Sequence, residues 1–235
     1  MTIASKNNIS ASLVIPVFNN GDTLVEQIKE CEEIISKIIS NYEIIICDDK
    51  STDNSAHLLR KHFQNKSHFN IIFHSKNKGI AKTIRELYSK AKLDNIVLFS
   101  VDGCWNPKDI EKLLLQAIES KSDIVIGKRN KSQYSMYRKI ISFFYNTLPI
   151  IFFGVKTTDA GSIKVIRKKI FDSTKLVSKS VFFEAEIIIK AKKNGKVIES
   201  VPIHFKKHKN KKGSGGKINL VASSLRDIFI LRLNI

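Results

Sequence analysis

The sequence predicts an α/β fold: a mostly parallel β-sheet with helices packed on both faces. Three observations lead there. Short β-branched apolar runs alternate with helical patterns along the first half. The polar, glycine- and carboxylate-bearing segments come just after the strands, where parallel sheets bind ligands. A length of 235 residues suits one well-buried core.

The elements follow in order. Ala11–Val17 reads as a buried strand and Asp22–Ile39 as a helix with apolar residues at three- and four-residue spacing. Glu43–Cys47 is the second strand, followed by a helix near Ser55–Phe63. Asn70–His74 is the third strand and Ala81–Lys92 its helix. Asn95–Val101 is the fourth strand, Pro107–Ser120 its helix, and Asp123–Gly127 the fifth strand. Strand–helix alternation at this spacing makes βαβ units. No internal repeat or domain boundary is visible, so residues 1–235 read as one unit. A half over about 10–130 carries the strand-end motifs, a second half spans about 131–217, and 218–235 form an amphipathic helix. Lys206–Lys217, basic and glycine-containing, reads as a loop.

Composition narrows the partners. The formal charge is +18, which suits anionic ligands or surfaces. Only seven of the 40 basic residues are arginine, and neither a stacking-aromatic array nor an arginine-rich recognition helix is present, which speaks against nucleic-acid binding. Cys31, Cys47 and Cys104 have no Cys-x-x-Cys spacing, which fits a reducing compartment rather than a disulfide framework. The opening MTIASKNNIS lacks the apolar core of a secretion signal. The apolar stretch Ile140–Val155 is interrupted by Tyr145, Asn146 and Pro149 and falls short of the ~20 residues a spanning helix needs. A cytoplasmic location is therefore expected.

The strongest local signal is IIICDDKSTDNS. Adjacent carboxylates at a strand end repel each other and lose water, so Asp48 and Asp49 point to a ligand. Capping of the next helix accounts for Asp53 but not for both of its predecessors.

Four segments, SLVIPVFNNGDTL, IIICDDKSTDNS, NKGIAKTIREL and a strand ending in VDG, resemble the family 2 glycosyltransferases in order and spacing. DIVIGKR, YRKIIS, DAGSIKVIRKKIF, FFEAEIIIKAKKNG and VIESVPIHFKKHKNKKGSGGK look like the polyprenyl-phosphate hexose synthases, the dolichyl-phosphate mannose synthase type. The likeness runs from about Ser12 to Lys217. It implies the Rossmann-like GT-A fold and transfer of a hexose, with inversion, from a nucleotide-diphosphate sugar to a polyprenyl phosphate at the cytoplasmic membrane face. By the same resemblance Pro16, Phe18, Asn19, Asp49 and Lys78 line the donor site, with Asp48 in support. Asp102 meets the sugar diphosphate and its divalent cation, Mg²⁺ or Mn²⁺. Arg129, Arg138, Ser142 and the basic position at His208 hold the acceptor's phosphate. Arginine suits that task through its planar fork; the competing reading of Arg138 is one exposed charge opening a helix.

A lipid phosphate needs little deprotonation, whereas a saccharide hydroxyl, the alternative acceptor, needs a carboxylate base. Glu184 and Glu186 are the candidates, set against the reading that they form a solvated face of an apolar helix. Two departures from the family pattern bear on the centre. Asp-x-Asp becomes Asp102-Gly103-Cys104, and a thiol is a poor ligand for a hard cation; the expected arginine after VPI-x-F is replaced by His208 among lysines. A catalytically impaired nucleotide-sugar-binding relative is the reading these changes leave open. Ile140–Val155, with Arg138 and Lys139 before it, has the character of an interfacial helix or of a core helix. Ile218–Ile235 is suited to docking, dimerisation or lipid contact, so peripheral attachment to an anionic membrane is an expectation.

Overall fold

A computed structural model describes residues 9–130, 136–206 and 218–235, with the side chains of 137–141, 144 and 218–220 outside the description. The described chain runs β1 (Ser10–Val17), α1 (Leu24–Ile38), β2 (Asn41–Asp48), α2 (Ser55–Phe63), β3 (Phe69–Phe73), α3 (Ile80–Lys90), β4 (Asn95–Leu98) and α4 (Asp109–Ser120). It continues with β5 (Ile124–Arg129), α5 (Met136–Phe153), β6 (Lys164–Arg167), α6 (Lys168–Ser173), α7 (Phe183–Lys193), β7 (Ile198–Ile203) and α8 (Ile218–Leu233). The strands form one seven-stranded sheet in the order β3-β2-β1-β4-β6-β5-β7. β6 runs antiparallel to β4 and β5; the other pairings are parallel.

Alternation along the strands splits the core. Leu13, Ile15, Ile44, Ile46, Val97 and Val125 meet α1, α2 and α4 on one face. Val14, Ile45, Cys47, Ile96, Leu98 and Ile126 meet α3, α6 and α7 on the other. A third cluster forms outside α7, where Phe182, Ala185 and Ile189 pack against Phe153 of α5 and Ile228 and Leu231 of α8. α7 is thus covered on two sides, which is why FEAEIIIKAKK carries apolar residues around most of its circumference.

α5 and α8 resolve two readings the sequence left open. α5 packs its C-terminal part into the third cluster yet exposes Met136, Phe143, Ile150 and Ile151. α8 docks on the domain. Its Asp227, wholly buried, accepts the N–H groups of Lys179 at 2.8 Å and Ser180 at 2.6 Å. Burial opposes ionisation of this carboxyl, but the bonds from Ser180, Arg226 and Lys179 prevail and hold it below the usual range. A carboxyl lowered on folding stabilises above its unfolded value, and that stability is lost as pH falls through the folded value. α8 is therefore expected to stay docked at neutral pH and loosen below about pH 4, where an ordinary aspartate protonates. Hydrogen exchange of α8 across an acid titration measures this, and Asp227→Asn should flatten the response.

The first-half elements fall within a few residues of the expected bounds. The fourth strand differs most: it ends at Leu98, three residues before Val101. Both its ladders stop there, at Val14↔Leu98 and Leu98↔Lys164, so the chain has no partner to continue along.

Candidate active site

The early end of β4 opens the site. β1 pairs with β2 as far as Val17↔Asp48 but with β4 only to Val14↔Leu98, leaving a crevice beyond the strand ends where the order reverses direction. Pro16 is buried in β1 past its last β4 partner, where its missing N–H leaves no β4 bond unmade. Phe18 follows with its ring 48% exposed, an apolar surface at the mouth.

The loop after β1 is laced to the loop after β2. Asn19 adopts φ +55°, a conformation asparagine tolerates. Its N–H donates to Ser51 Oγ at 2.9 Å and its Oδ1 accepts Thr52 N–H at 2.8 Å. Asn20 N–H donates to Ser55 Oγ at 2.9 Å and Gly21 N–H to Asp53 Oδ2 at 3.0 Å. A Cβ on Gly21 would lie 1.8 Å from Oδ1 of the exposed Asn54 side chain, which would have to swing aside to admit it. Asp53 also accepts Ser55 N–H at 2.9 Å, the cap-like role its position suggested. Asn19 thus ties the loop after β1 to the loop after β2.

The two adjacent aspartates divide their work. Asp49 Oδ1 accepts Lys78 N–H and bonds His74 Nδ1, each at 2.7 Å, while Oδ2 accepts Gly79 N–H at 2.8 Å. It fixes the turn in which Gly79 takes φ +84°. Asp48 accepts Ser51 N–H through Oδ2 at 3.2 Å, and its Oδ1 is buried with no protein partner. Both Asp49 oxygens are thus engaged inside the protein, whereas Asp48 keeps one buried oxygen without a hydrogen-bond partner among the described residues. Lys78 directs its ammonium to Glu86 at 2.9 Å, and His74 Nε2 lies 3.1 Å from the same carboxylate. Burial, with Glu86 and Asp49 nearby, pushes the Cys47 thiol up to about 12, so it is no nucleophile.

Asp102 lies on a loop held from α1. Thr23 Oγ1 donates to Val101 O at 2.7 Å, Gly103 N–H to Gln27 Oε1 at 3.2 Å, and Gln27 Nε2 to Trp105 O at 3.2 Å. Asp102 Oδ1 accepts Cys104 N–H at 3.0 Å. Among the described residues no three His, Cys, Asp or Glu side chains cluster as a metal cage. The donor set fits a hard cation held by Asp102 and completed by diphosphate oxygens and water, with Cys104 too soft to contribute.

Beyond the end of β5 the structure joins residues the sequence left separate. Arg129, at the end of β5, donates from Nε and its backbone N–H to Asp159 Oδ2 at 2.8 and 2.9 Å, and from Nη2 to Oδ1. Asp159 N–H donates to Asn146 Oδ1 at 3.3 Å, and Asn146 Nδ2 reaches Ser142 Oγ at 3.3 Å. Arg129 and Ser142 are thus linked through Asp159 and Asn146, neither of which was singled out from sequence. Thr158 and Asp159 both take positive φ, +35° and +54°, backbone strain of the kind that gathers at working sites. The side chain of Arg138 and all of His208 lie outside the described residues.

The solvated-face reading of Glu184 and Glu186 is overturned, because Glu184 faces Lys164 of β6 and Tyr88 of α3 while Glu186 is covered by the segment before α7. Glu186 is wholly buried and accepts the N–H groups of Val177 at 2.9 Å and Ser178 at 2.8 Å, plus Lys190 Nζ at 2.7 Å. Glu184 is paired with buried Lys164 of β6 and accepts a bond from Tyr88 Oη at 3.3 Å, while its Oε1 is buried without a protein partner. Burial, then the Glu184 charge, pushes the Tyr88 phenol well above its usual range.

Comparison with known proteins bears on this arrangement. In fold the chain is similar to glucosyl-3-phosphoglycerate synthase from Mycobacterium tuberculosis in complex with Mn²⁺, UDP and glucosyl-3-phosphoglycerate. The TM-score is 0.74 at 14% identity, over 100% of this chain and 85% of that one. It is also similar to mannosyl-3-phosphoglycerate synthase from Rubrobacter xylanophilus, with TM-score 0.73 at 14% identity over 96% of this chain and 74% of that one. At such identities the likeness is one of fold, the GT-A fold. The sequence profile described as "Glycosyl transferase family 2" matches residues 12–174, well over half the chain. With that match and the fold agreeing, the chain belongs to glycosyl transferase family 2, the nucleotide-sugar-dependent glycosyltransferases.

Proposed function

We propose that this enzyme transfers a hexose, with inversion, from a nucleotide-diphosphate sugar to a polyprenyl phosphate, working on the cytoplasmic face of a membrane. The carrying observation is where α5 lies. The helix that bears Ser142, linked to Arg129, also exposes Phe143 (64%) and Ile151 (68%), and α8 continues this surface with Phe229 (57%) and Leu233 (87%). The rings of Phe152 and Phe229 meet edge-on at 5.4 Å, joining the two helices. α5 contains no acidic residue, and the Asp227 of α8 is buried, so this apolar face presents no carboxylate to an anionic lipid surface. No described helix is long and apolar enough to cross a membrane.

The nucleotide base and ribose enter the crevice between Phe18 and Asp48, whose free Oδ1 accepts a donor hydroxyl or N–H. A cation at Asp102 supplies charge neutralisation for the departing nucleoside diphosphate. Arg129, joined by Arg138 and Ser142, positions the acceptor's phosphate so that its oxygen meets the anomeric carbon from the face opposite the leaving group. Both carboxylates considered as bases are bound to lysines inside the protein, which favours an acceptor that is already an anion over a saccharide hydroxyl. The structural neighbours are named for phosphoglycerate, likewise a phosphorylated acceptor; the exposed α5–α8 face favours a lipid here.

A thermal-shift screen against UDP-, GDP- and CDP-sugars, with and without Mn²⁺, identifies the donor, since a ligand at a hundredfold excess over its Kd stabilises by about 2.7 kcal/mol. Transfer to farnesyl phosphate then tests the acceptor. Arg138→Ala is expected to abolish that transfer while sparing donor hydrolysis; equal loss of both counts against the role. Flotation with anionic liposomes at low salt should carry the protein upward, and absence of co-migration removes the membrane assignment. Donor binding without turnover on any acceptor would instead support the impaired relative.

A further inference from the structure

Family members usually place a second aspartate where this chain has Cys104, followed here by Trp105, the only tryptophan in the sequence. Trp105 is buried, 8% exposed, and its ring lies edge-on to Phe205 with centroids 4.9 Å apart. The Arg129 guanidinium carbon sits 5.4 Å from the centroid of each ring. The contact is reinforced along the backbone: Trp105 and Phe205 form an antiparallel bridge, and Lys206 N–H donates to Cys104 O at 2.8 Å. Trp105 O in turn accepts from Gln27, whose Oε1 holds Gly103 N–H beside Asp102. One rigid chain of contacts therefore runs from the loop bearing Asp102, through two aromatic faces, to Arg129.

We propose that Trp105 and Phe205 are positioning residues that make donor and acceptor binding interdependent. The inference rests on the reading that Arg129 takes the acceptor's phosphate. A guanidinium held against aromatic faces is fixed in orientation and favoured there by the ring quadrupoles. A loop settled by nucleotide and cation at Asp102 settles the rings, and the rings settle the fork that meets the phosphate. Because coupling of binding free energies is reciprocal, acceptor phosphate must tighten nucleotide binding by the same factor.

Trp105, as the sole tryptophan, reports on this contact. The full chain is titrated with farnesyl phosphate while its tryptophan emission is followed, alone and with saturating UDP and Mn²⁺. We expect the farnesyl phosphate dissociation constant to fall about tenfold when UDP and Mn²⁺ are present, a typical allosteric factor. In Phe205→Leu the ratio should drop below about twofold while UDP affinity in the absence of acceptor is retained. A ratio of one in the unaltered protein, or an undiminished ratio in Phe205→Leu, overturns the coupling while leaving the acceptor assignment standing. Failure of farnesyl phosphate to bind under any condition, checked by equilibrium dialysis, removes the acceptor assignment and the coupling with it. Should Phe205→Leu not fold, calorimetry on Trp105→Phe and Trp105→Leu asks the same question: the first should keep the coupling and the second lose it, and equal behaviour of the two overturns the proposal.

Discussion

Glu184→Gln is expected to cost about 3–5 kcal/mol of unfolding free energy, because it strands a buried lysine without its counter-charge. Lys164 is 1% exposed in the middle of the sheet, between Leu98 and Ile126, and the Glu184 carboxylate beside it has only Tyr88 as a further protein donor. Urea unfolding with the slope held common to both proteins measures the loss. The pair itself is not what holds the fold. Joint replacement by apolar residues of similar volume, Lys164→Met with Glu184→Leu, should recover most of the loss. Tyr88→Phe belongs in that background, since the phenol would otherwise lose its acceptor. A stability loss in Glu184→Gln below about 1 kcal/mol would mean that solvent reaches the pair.

Asp102→Ala should lower transfer by about 10²–10³-fold, the scale of removing a group aimed at developing charge. Asp102 is the carboxylate on the loop between β4 and α4, with Oδ1 bonded to Cys104 N–H. UDP binding should lose its Mn²⁺ dependence in this variant while retaining the metal-free component that the proposed reading assigns to Phe18 and Asp48. The converse change is as informative. Cys104→Asp restores a hard oxygen two residues on, and the Mn²⁺ concentration for half-maximal activity should fall about tenfold, one added charged ligand contributing on the order of 1.4 kcal/mol. A Cys104→Asp enzyme with unchanged metal demand would show that diphosphate and water, rather than the protein, determine the cation's affinity.

The first half of this fold is legible in sequence because local and global preferences agree there. Val14, Ile45 and Ile96 belong to short β-branched runs, and the helices between them carry their apolar residues on one stripe. Asp48, Asp49 and Asp102 stand out in the sequence for a different reason: carboxylates at strand ends need partners, and only the fold shows that Asp49 finds its own in the backbone of Lys78 and Gly79. What the sequence hid depends on distance along the chain. The internal engagement of Asp49, and not of Asp48, is decided by the backbone of Lys78 and Gly79, some thirty residues away. Glu186 reads as a surface residue until the chain at Val177 and Ser178 folds back over it. Asp159 sits in DAGS with nothing local to mark it, and its meaning appears only once β6 brings that loop beside Arg129.

The placement of β6 also governs how the chain can be divided. β5 has β6 and β7 as its sheet neighbours, and both are made later than β5 itself. A fragment ending near residue 130 would present β5 with neither edge paired, a bare apolar ribbon of Ile124, Val125 and Ile126. During synthesis the segment must wait for about forty further residues before its first ladder can form, and longer for the Phe205 contact that closes the nucleotide loop. Donor and acceptor halves are therefore names for regions of a surface, not for pieces that fold apart, and splitting the gene between them should give aggregation rather than a nucleotide-binding fragment.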